Sequence, residues 1–132
     1  MNRRPRLLHF DQMPLERLWG GTLSRSAVRS DNSLVTLNWF DPDATRPEPH
    51  LHPFDQLSFV VSGVLNFEVD GERFTMDAGS VLWIPPNALH TAWPSGRERV
   101  LNIDIFAPAR DDYLYLATHQ EWQEDPNQRR QR

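Results

Sequence analysis

Residues 57–84 read LSFVVSGVLNFEVDGERFTMDAGSVLWI and contain four short runs rich in apolar, β-branched and aromatic residues. Turn-forming residues separate these runs at Ser62-Gly63, Asp70-Gly71 and Asp77-Ala78-Gly79. Asp-Gly is typical of the two-residue type I′ turn of a β-hairpin, because both residues tolerate positive φ. The stretch therefore predicts four strands that follow one another as an antiparallel meander.

The same pattern of short strands extends on both sides of this stretch. Eleven prolines and six glycines punctuate the chain, and no segment before residue 111 sustains a helical apolar period. The six candidate strands are Leu34–Phe40, Leu57–Val61, Val64–Val69, Arg73–Met76, Val81–Ile84 and Val100–Phe106. Their close spacing predicts an all-β domain, either a sandwich or a barrel.

The two ends of the chain differ from its strand-rich middle. Asp111-Asp112 predicts the start of a short helix, whereas Arg3–Leu8 fits either a strand or a loose arm. A chain of 132 residues and 15.4 kDa has room for one domain. We expect that domain, with its N-terminal arm, to fill residues 1–118 and to be followed by a polar, flexible tail over residues 119–132.

The composition excludes several classes of function. All 14 basic residues are arginine and the chain has no cysteine, so it cannot bind pyridoxal phosphate covalently, complete a P-loop or hold a metal through thiolates. A formal charge of −4 argues against nucleic-acid binding. The apolar runs are too short to cross a membrane, and the N-terminus lacks the apolar core of a signal peptide. We therefore expect a cytoplasmic protein without a nucleic-acid or membrane partner.

Three of the five histidines suggest a metal site. His50 and His52 are two residues apart, so in an extended segment their side chains point the same way and could bind one ion. Gln56 lies four residues further on the same face, and His90 follows a later strand. The alternative is that an isolated His-x-His pair occurs by chance in a polar loop.

Two longer motifs around these histidines resemble those of the cupin family. The first cupin motif, His-x-His-x(3,4)-Glu-x(6)-Gly, matches His50, His52, Gln56 and Gly63, with Gln in place of Glu. The second, Gly-x(5)-Pro-x-Gly-x(2)-His, matches Gly79, Pro85, Asn87 and His90, with Asn in place of the second Gly. Asn tolerates the left-handed backbone better than other residues with a side chain, so this substitution keeps the turn.

The resemblance covers about residues 34–110 and implies a double-stranded β-helix, the jelly-roll barrel of cupins. It also implies one divalent metal ion (Ni, Zn, Mn, Fe or Co) in the barrel, held by His50, His52, Gln56 and His90. Three neutral imidazoles and an amide leave the charge of the ion uncompensated, which favours a small anionic substrate. Small cupins commonly pair through their barrel faces, and this predicts a homodimer.

Alternation divides the last predicted strand into two faces. The apolar face, which we expect in the core, consists of Leu101, Ile103 and Ile105. The opposite, mixed face consists of Asn102, Asp104 and Phe106. Taken without the family, Asp104 would face solvent or form a weak salt bridge with Arg110, although Arg110 could also return over the barrel mouth.

The ending Asp104-x-Phe106-x-Pro108-x-Arg110-x-Asp112 resembles that of the small cupins that linearise unsaturated uronates in pectin and alginate breakdown. Those enzymes convert a 4,5-unsaturated uronate ring into an open-chain 4-deoxy-5-keto uronate. The resemblance implies that Asp104 transfers protons, Arg110 binds the substrate carboxylate and Phe106 packs against the sugar. We expect Trp93, which lies shortly after His90, to border the pocket and contact the substrate.

Three classes of function stay open. The first is a metal-dependent, non-redox lyase or isomerase acting on a small anionic sugar or keto acid, for example in uronate linearisation. The second is a dioxygenase with a redox metal; Gln56 counts against it, because a carboxylate ligand helps to stabilise higher oxidation states. The third is a module that binds a small ligand without turnover.

Overall fold

The computed structural model describes residues 5–122, so residues 1–4 of the predicted arm and 123–132 of the predicted tail lie outside the described part of the chain. The described residues form nine strands: β1 (Glu16–Leu18), β2 (Leu23–Arg29), β3 (Leu34–Phe40), β4 (Asp55–Ser62), β5 (Val64–Val69), β6 (Glu72–Met76), β7 (Val81–Ile84), β8 (His90–Ser95) and β9 (Val100–Ala107). They also form short 3-10 helices at Phe10–Gln12, Trp19–Gly21 and Asp111–Ala117 and the one-turn helix α1 (His119–Trp122). None of the described helices is long and apolar enough to span a membrane.

The strands form two antiparallel sheets that pack face to face. The larger sheet has the order β1-β2-β3-β9-β4-β7 and the smaller has the order β6-β5-β8. Apolar side chains from both sheets meet between them, among them Val60 and Ile84 from the larger sheet and Leu65 and Phe67 from the smaller. This is the jelly-roll barrel that the sequence predicts, and the predicted fold class is confirmed.

The predicted meander over residues 57–84 is wrong in its strand pairing. Of its three turns, Asp70-Gly71 alone closes a hairpin: Val69 pairs with Glu72, and the two turn residues have φ values of 48° and 84°. β4 instead pairs with β7 and β9, and β5 pairs with β8. Turn residues fix where the chain reverses, whereas the choice of neighbouring strand depends on contacts that are distant in the sequence.

Sequence reasoning also missed β1, β2 and β8. β2 contains Ser24, Arg25 and Ser26, and β8 contains Pro94, so neither shows the apolar run that marks a strand. Both lie beside strands that were predicted, because β2 pairs with β3 and β8 pairs with β5. The partner strands impose an extended backbone that the local residues do not specify.

The helix predicted at Asp111-Asp112 is confirmed as a 3-10 helix over Asp111–Ala117. Residues 5–8 have no regular secondary structure, and residues 119–122 of the predicted tail form α1. Gln120 binds this end of the chain to β2: its side chain accepts a hydrogen bond from the Arg29 amide (2.9 Å) and donates one to the Arg29 carbonyl (2.8 Å). The first residues of the predicted tail therefore pack on the barrel.

The outer face of the larger sheet is apolar where β9, β4 and β7 lie side by side. The expectation that Leu101, Ile103 and Ile105 form the core is wrong: they are partly buried on this outer face, because the alternate residues of β9 line the barrel interior. The exposed apolar side chains beside them, at 39, 55 and 58% exposure, are Leu57, Val81 and Trp83. Contiguous exposed apolar surface of this kind is typical of interaction sites.

We expect this outer face to bind a second copy of the chain in the predicted homodimer. The three strands that carry this face span about 14 Å by about 20 Å, so the face would form the centre of an interface in which each partner buries about 800 Å². Trp83→Arg places a charge on the face and should convert the dimer to a monomer, measured by light scattering after gel filtration. Leu89→Arg is the control, because Leu89 is 45% exposed and lies outside this face. A wild-type chain that stays monomeric at high concentration would contradict the homodimer.

Gly63, between the two sheets, is a position where a side chain has no room. Its φ is 77°, and a Cβ would lie 2.9 Å from Cγ2 of Val100 and 3.0 Å from the carbonyl oxygen of Arg99. Gly63→Ala should lower the free energy of unfolding by about 2–3 kcal/mol, through left-handed strain and steric overlap together. Gly71→Ala is the matched control, because it has positive φ but open space, and it should cost about 1 kcal/mol. If denaturant unfolding showed equal losses of free energy of unfolding in the two variants, the steric overlap at residue 63 would not contribute to stability.

Candidate metal centre

The four side chains predicted to bind a metal ion meet inside the barrel. The backbone of His50 pairs with that of His90, the first residue of β8, through hydrogen bonds of 2.9 and 2.8 Å. The carbonyl of His52 accepts a hydrogen bond from the amide of Asn87 (2.8 Å). Asn87 has a φ of 64°, as expected of Asn in place of Gly. Gln56 is the second residue of β4.

The three imidazoles are close enough to share one ion. The ring centroid of His90 lies 4.5 Å from that of His50 and 4.8 Å from that of His52. One nitrogen from each of the three rings lies within 4.8 Å of the others. His52, Gln56 and His90 are buried, whereas His50 is exposed. The structure therefore brings all the predicted ligands together and leaves one of them accessible.

Hydrogen bonds determine which imidazole nitrogens present a lone pair. Nδ1 of His90 donates to the carbonyl of Ala88 (2.8 Å), and Nδ1 of His52 donates to the carbonyl of Phe54 (3.2 Å). A neutral imidazole carries one proton, so Nε2 of each ring is left as an acceptor. Metal-binding histidines typically donate their other nitrogen in this way.

The contact between His52 and Gln56 shows that a cation fits between these side chains. Nε2 of His52 lies 3.0 Å from Oε1 of Gln56. Because Nδ1 of His52 holds the proton, both of the facing atoms are acceptors, and their lone pairs repel. A shared ion would remove this repulsion, since neighbouring ligands with bonds of about 2.1 Å to one ion lie about 3.0 Å apart at octahedral angles and about 3.4 Å apart at tetrahedral angles. The residues present therefore fit a divalent metal ion.

Two of the three imidazoles, those of His50 and His52, have lowered pKa values, which favour the neutral form. The partial burial of the His50 ring, followed by the neighbouring His90, His52 and Arg110, lowers the pKa of His50 to about 4. Burial and Arg110 also lower the pKa of His52. Neutral imidazole is the form that binds metal. Because the amide of Gln56 is neutral as well, these ligands would leave the full charge of a divalent ion uncompensated.

Asp104 lines a cavity of about 350 Å³ that the metal ligands also line. Its carboxylate accepts hydrogen bonds from the hydroxyl of Ser58 and from the side-chain amides of Asn102 (3.2 Å) and Asn38 (3.3 Å). Burial raises the pKa of Asp104 and outweighs these hydrogen bonds, which lower it. A carboxyl group with a raised pKa is suited to transfer protons near neutral pH.

Arg110 and Phe106 line the same cavity. The Arg110 guanidinium is buried, donates hydrogen bonds of 3.0 and 2.7 Å to Asp112 through Nε and Nη2, and lies 3.7 Å from the centre of the Tyr113 ring. The ion pair of Arg110 is therefore with Asp112, whose pKa it lowers, and not with Asp104. Asp112 and Tyr113 together hold the guanidinium at the cavity wall.

Trp93 does not join the other predicted site residues. Its ring contacts the guanidinium groups of Arg46 and Arg73, which are 4.7 and 5.0 Å from its centroid. Side chains alternate along β8, so His90 and Ala92 line the cavity while Trp93 points to the opposite side of the sheet. The structure gives no support to the expected contact between Trp93 and a substrate.

Sequence reasoning missed Arg25 and Tyr113, which also line the cavity. The guanidinium of Arg25 lies 4.6 Å from the centre of the Tyr113 ring, so this ring contacts both Arg25 and Arg110. Arg25 also donates a hydrogen bond to Glu16 (2.9 Å). Alternation along β2 would have identified Arg25 as facing the interior, but β2 itself was not predicted.

Comparison with known proteins agrees with the fold and with the histidine site. The family model of the cupin domain matches residues 39–106, which is more than half of the chain. The chain belongs to the cupin family.

Two curated proteins and one solved structure illustrate the similarity. The pectin degradation protein KdgF of Dickeya dadantii is 29% identical to this cupin over 105 residues, which cover 79% of the chain and 94% of that protein. The H2HPP isomerase of Bacillus subtilis is 34% identical over 102 residues, which cover 76% of the chain but 39% of that protein. An RmlC-like cupin from Shewanella frigidimarina superposes with a TM-score of 0.73 at 29% identity, covering 86% of this chain and 99% of that one.

The purified cupin should contain about one equivalent of divalent metal per chain, measured by elemental mass spectrometry. The double variant His50→Ala/His90→Ala removes two of the three imidazoles and should lose the metal. His9→Ala is the matched control, because the His9 side chain is 69% exposed and lies outside the cluster. A wild-type protein that holds no metal after incubation with Ni, Zn, Mn, Fe or Co would contradict the site.

Proposed function

We propose that this cupin is a metal-dependent, non-redox enzyme that isomerises or opens a small anionic sugar or keto acid, with linearisation of a 4,5-unsaturated uronate as the specific reaction. The observation that carries the proposal is the position of Asp104, a carboxyl group with a raised pKa in a cavity that also holds the candidate metal ligands and Arg110. A group that transfers protons, a metal site and a guanidinium are the components that such a reaction uses.

Linearisation is an isomerisation in which one proton moves and no electrons are exchanged with another molecule. The ring bond between C1 and O5 breaks, the C1 hydroxyl loses its proton to form an aldehyde, and the enolate released at C5 becomes a ketone as C4 gains that proton. Asp104 is assigned both transfers: it accepts the proton of the C1 hydroxyl and delivers a proton to C4. A bound divalent ion would supply Lewis-acid polarisation of the substrate oxygens.

Arg110 and Phe106 are assigned to binding. Asp112 engages Nε and Nη2 of Arg110, so Nη1 is outside this pair and is assigned to the substrate carboxylate. Phe106 packs edge-on against His52 and Tyr113, with ring centroids 5.8 and 5.9 Å apart. These contacts hold the Phe106 ring as a fixed apolar wall on which a sugar ring could pack.

The relatives and the ligand set both support non-redox chemistry. One relative is a pectin degradation protein and another is an isomerase. The candidate ligands include no carboxylate, which is the ligand type that would favour the higher oxidation states of a dioxygenase metal. The isomerase or lyase class is therefore preferred to the dioxygenase class.

With metal in excess, the cupin should convert unsaturated galacturonate to the open-chain product. The reaction is followed by the loss of the C4=C5 ultraviolet absorbance and by deuterium incorporation at C4 in heavy water. Asp104→Asn keeps the size of the side chain but cannot exchange the proton, so it should lower kcat by about 10²–10⁴-fold. Asp77→Asn is the matched control, because Asp77 lies in a turn outside the cavity, where it accepts a hydrogen bond from Ser80.

Each other outcome of this experiment has a distinct meaning. Wild-type kcat in Asp104→Asn at saturating metal would refute the role of Asp104. Oxygen consumption without uronate turnover would favour the dioxygenase class, and ligand binding without turnover would favour a binding module.

A further inference from the structure

The cavity that contains the candidate metal ligands continues past them to an apolar end. The strand register shows how far apart the two ends are. Asp104 lies opposite Thr36 of β3, whereas the apolar end begins at Phe40 of the same strand. Four residues of an extended strand span about 13 Å. A cavity of about 350 Å³ that extends over this distance has room for a chemical group beyond the one at the metal ligands.

Four apolar side chains form this end of the cavity: Leu18, Trp19, Leu23 and Phe40. Strand pairing brings them together, because Leu18 lies opposite Leu23, and Leu23 lies opposite Phe40. The next lining residues along β2 and β3 are Arg25 and Asn38, which also lie opposite each other. The described lining residues therefore change from apolar to polar along the length of the cavity.

Trp19 is held at the cavity by a backbone conformation that is rare for a bulky residue. Its φ is 56°, in the left-handed region. The Trp19 carbonyl accepts hydrogen bonds from the amide (3.3 Å) and the hydroxyl (2.8 Å) of Thr22, and the Thr22 carbonyl accepts one from the amide of Asp41 (2.8 Å). The Trp19 ring packs against Phe40, with centroids 6.0 Å apart, and the residue stays 42% exposed. Strained residues that their surroundings hold in place are concentrated at ligand sites.

A ligand that fills the whole cavity must match both ends. A carboxylate suits the end that carries Arg110 and the candidate metal ligands. At the apolar end, the hydroxyls of a sugar would lose hydrogen bonds to water without gaining side-chain partners, whereas an apolar ring has none to lose.

We infer that the four apolar side chains form a second subsite, which binds an apolar ring or chain attached to the bound anion. This apolar subsite extends the proposed function, because it distinguishes the two substrate classes named there. A keto acid with an apolar body fills both ends of the cavity, whereas a uronate fills the metal end alone.

Calorimetric titration in the presence of Zn²⁺ tests the apolar subsite with acetate and with phenyl carboxylates from 3-phenylpropanoate to 6-phenylhexanoate. The best phenyl carboxylate should bind at least about ten-fold more tightly than acetate, because its ring leaves water. Trp19→Ala should remove about ten-fold of that affinity and leave acetate binding unchanged. Trp93→Ala is the matched control, because Trp93 points away from the cavity. Equal binding of acetate and the phenyl carboxylates, or wild-type affinity for them in Trp19→Ala, would overturn the inference.

Fluorescence tests where the phenyl ring binds. The emission of Trp19, taken as the difference between the wild type and Trp19→Phe, should shift when the phenyl carboxylate binds and stay unchanged with acetate. Arg110→Gln should weaken the binding of acetate and of the phenyl carboxylate by similar factors, because one ligand would contact both ends of the cavity. Phenyl carboxylate binding that is insensitive to Arg110→Gln would lie outside the cavity, and that result would overturn the inference.

The inference rests on the anion-binding end of the proposed site but not on the assigned reaction. Neither measurement uses a uronate, so the two proposals can fail separately. A cupin that binds phenyl carboxylates through Trp19 but does not convert uronates would retain the apolar subsite and lose the assigned reaction. Turnover of uronates without a preference for phenyl carboxylates would do the reverse.

Discussion

The backbone pair between His50 and His90 is the contact on which the site depends. It joins the segment that leads into β4, a strand of the larger sheet, to the first residue of β8 in the smaller sheet. The segment that enters the larger sheet is therefore hydrogen-bonded to the smaller sheet at the place where two of the imidazoles meet. His52 and Gln56 follow along the same segment, so their positions depend on how it enters β4. The contacts that pack this part of the barrel therefore also determine the positions of the metal ligands.

The interior of the barrel is divided between apolar and polar packing. One part is an apolar cluster to which both sheets contribute. The other part carries Asn38, Ser58, Asn102 and Asp104, which bond to one another. Buried polar groups are costly unless they are hydrogen-bonded, so a network of this kind is stable only as a connected set. The barrel can therefore keep a carboxyl group beside the candidate metal ligands without leaving its oxygens unpaired.

The parts of the structure that the sequence predicted are those determined by neighbouring residues. The Asp70-Gly71 hairpin follows from local backbone preference, and the ligand set of His50, His52, Gln56 and His90 follows from motif spacing. Strand pairing could not be predicted, because the β4–β9 and β5–β8 contacts join residues far apart in the chain. The same reason explains why the position of Trp93 was not predicted and why Arg25 was missed. Each lies in a strand, β8 or β2, whose extended backbone is imposed by the neighbouring strand, so the side of the sheet that the residue faces could not be predicted from local sequence.

The charges around the cavity explain how it could select an anion without a large net charge on the protein. Arg25 and Arg110 contact the Tyr113 ring, and each is bonded to a carboxylate that does not line the cavity, Glu16 or Asp112. Among the described lining residues, Asp104 is the one acidic side chain, and burial disfavours its charged form. The cavity wall therefore presents guanidinium groups inward and their counter-charges outward. A divalent ion on neutral ligands would add further positive charge to the cavity. The carboxylate of a substrate, more than its hydroxyls, would therefore determine how the substrate is oriented.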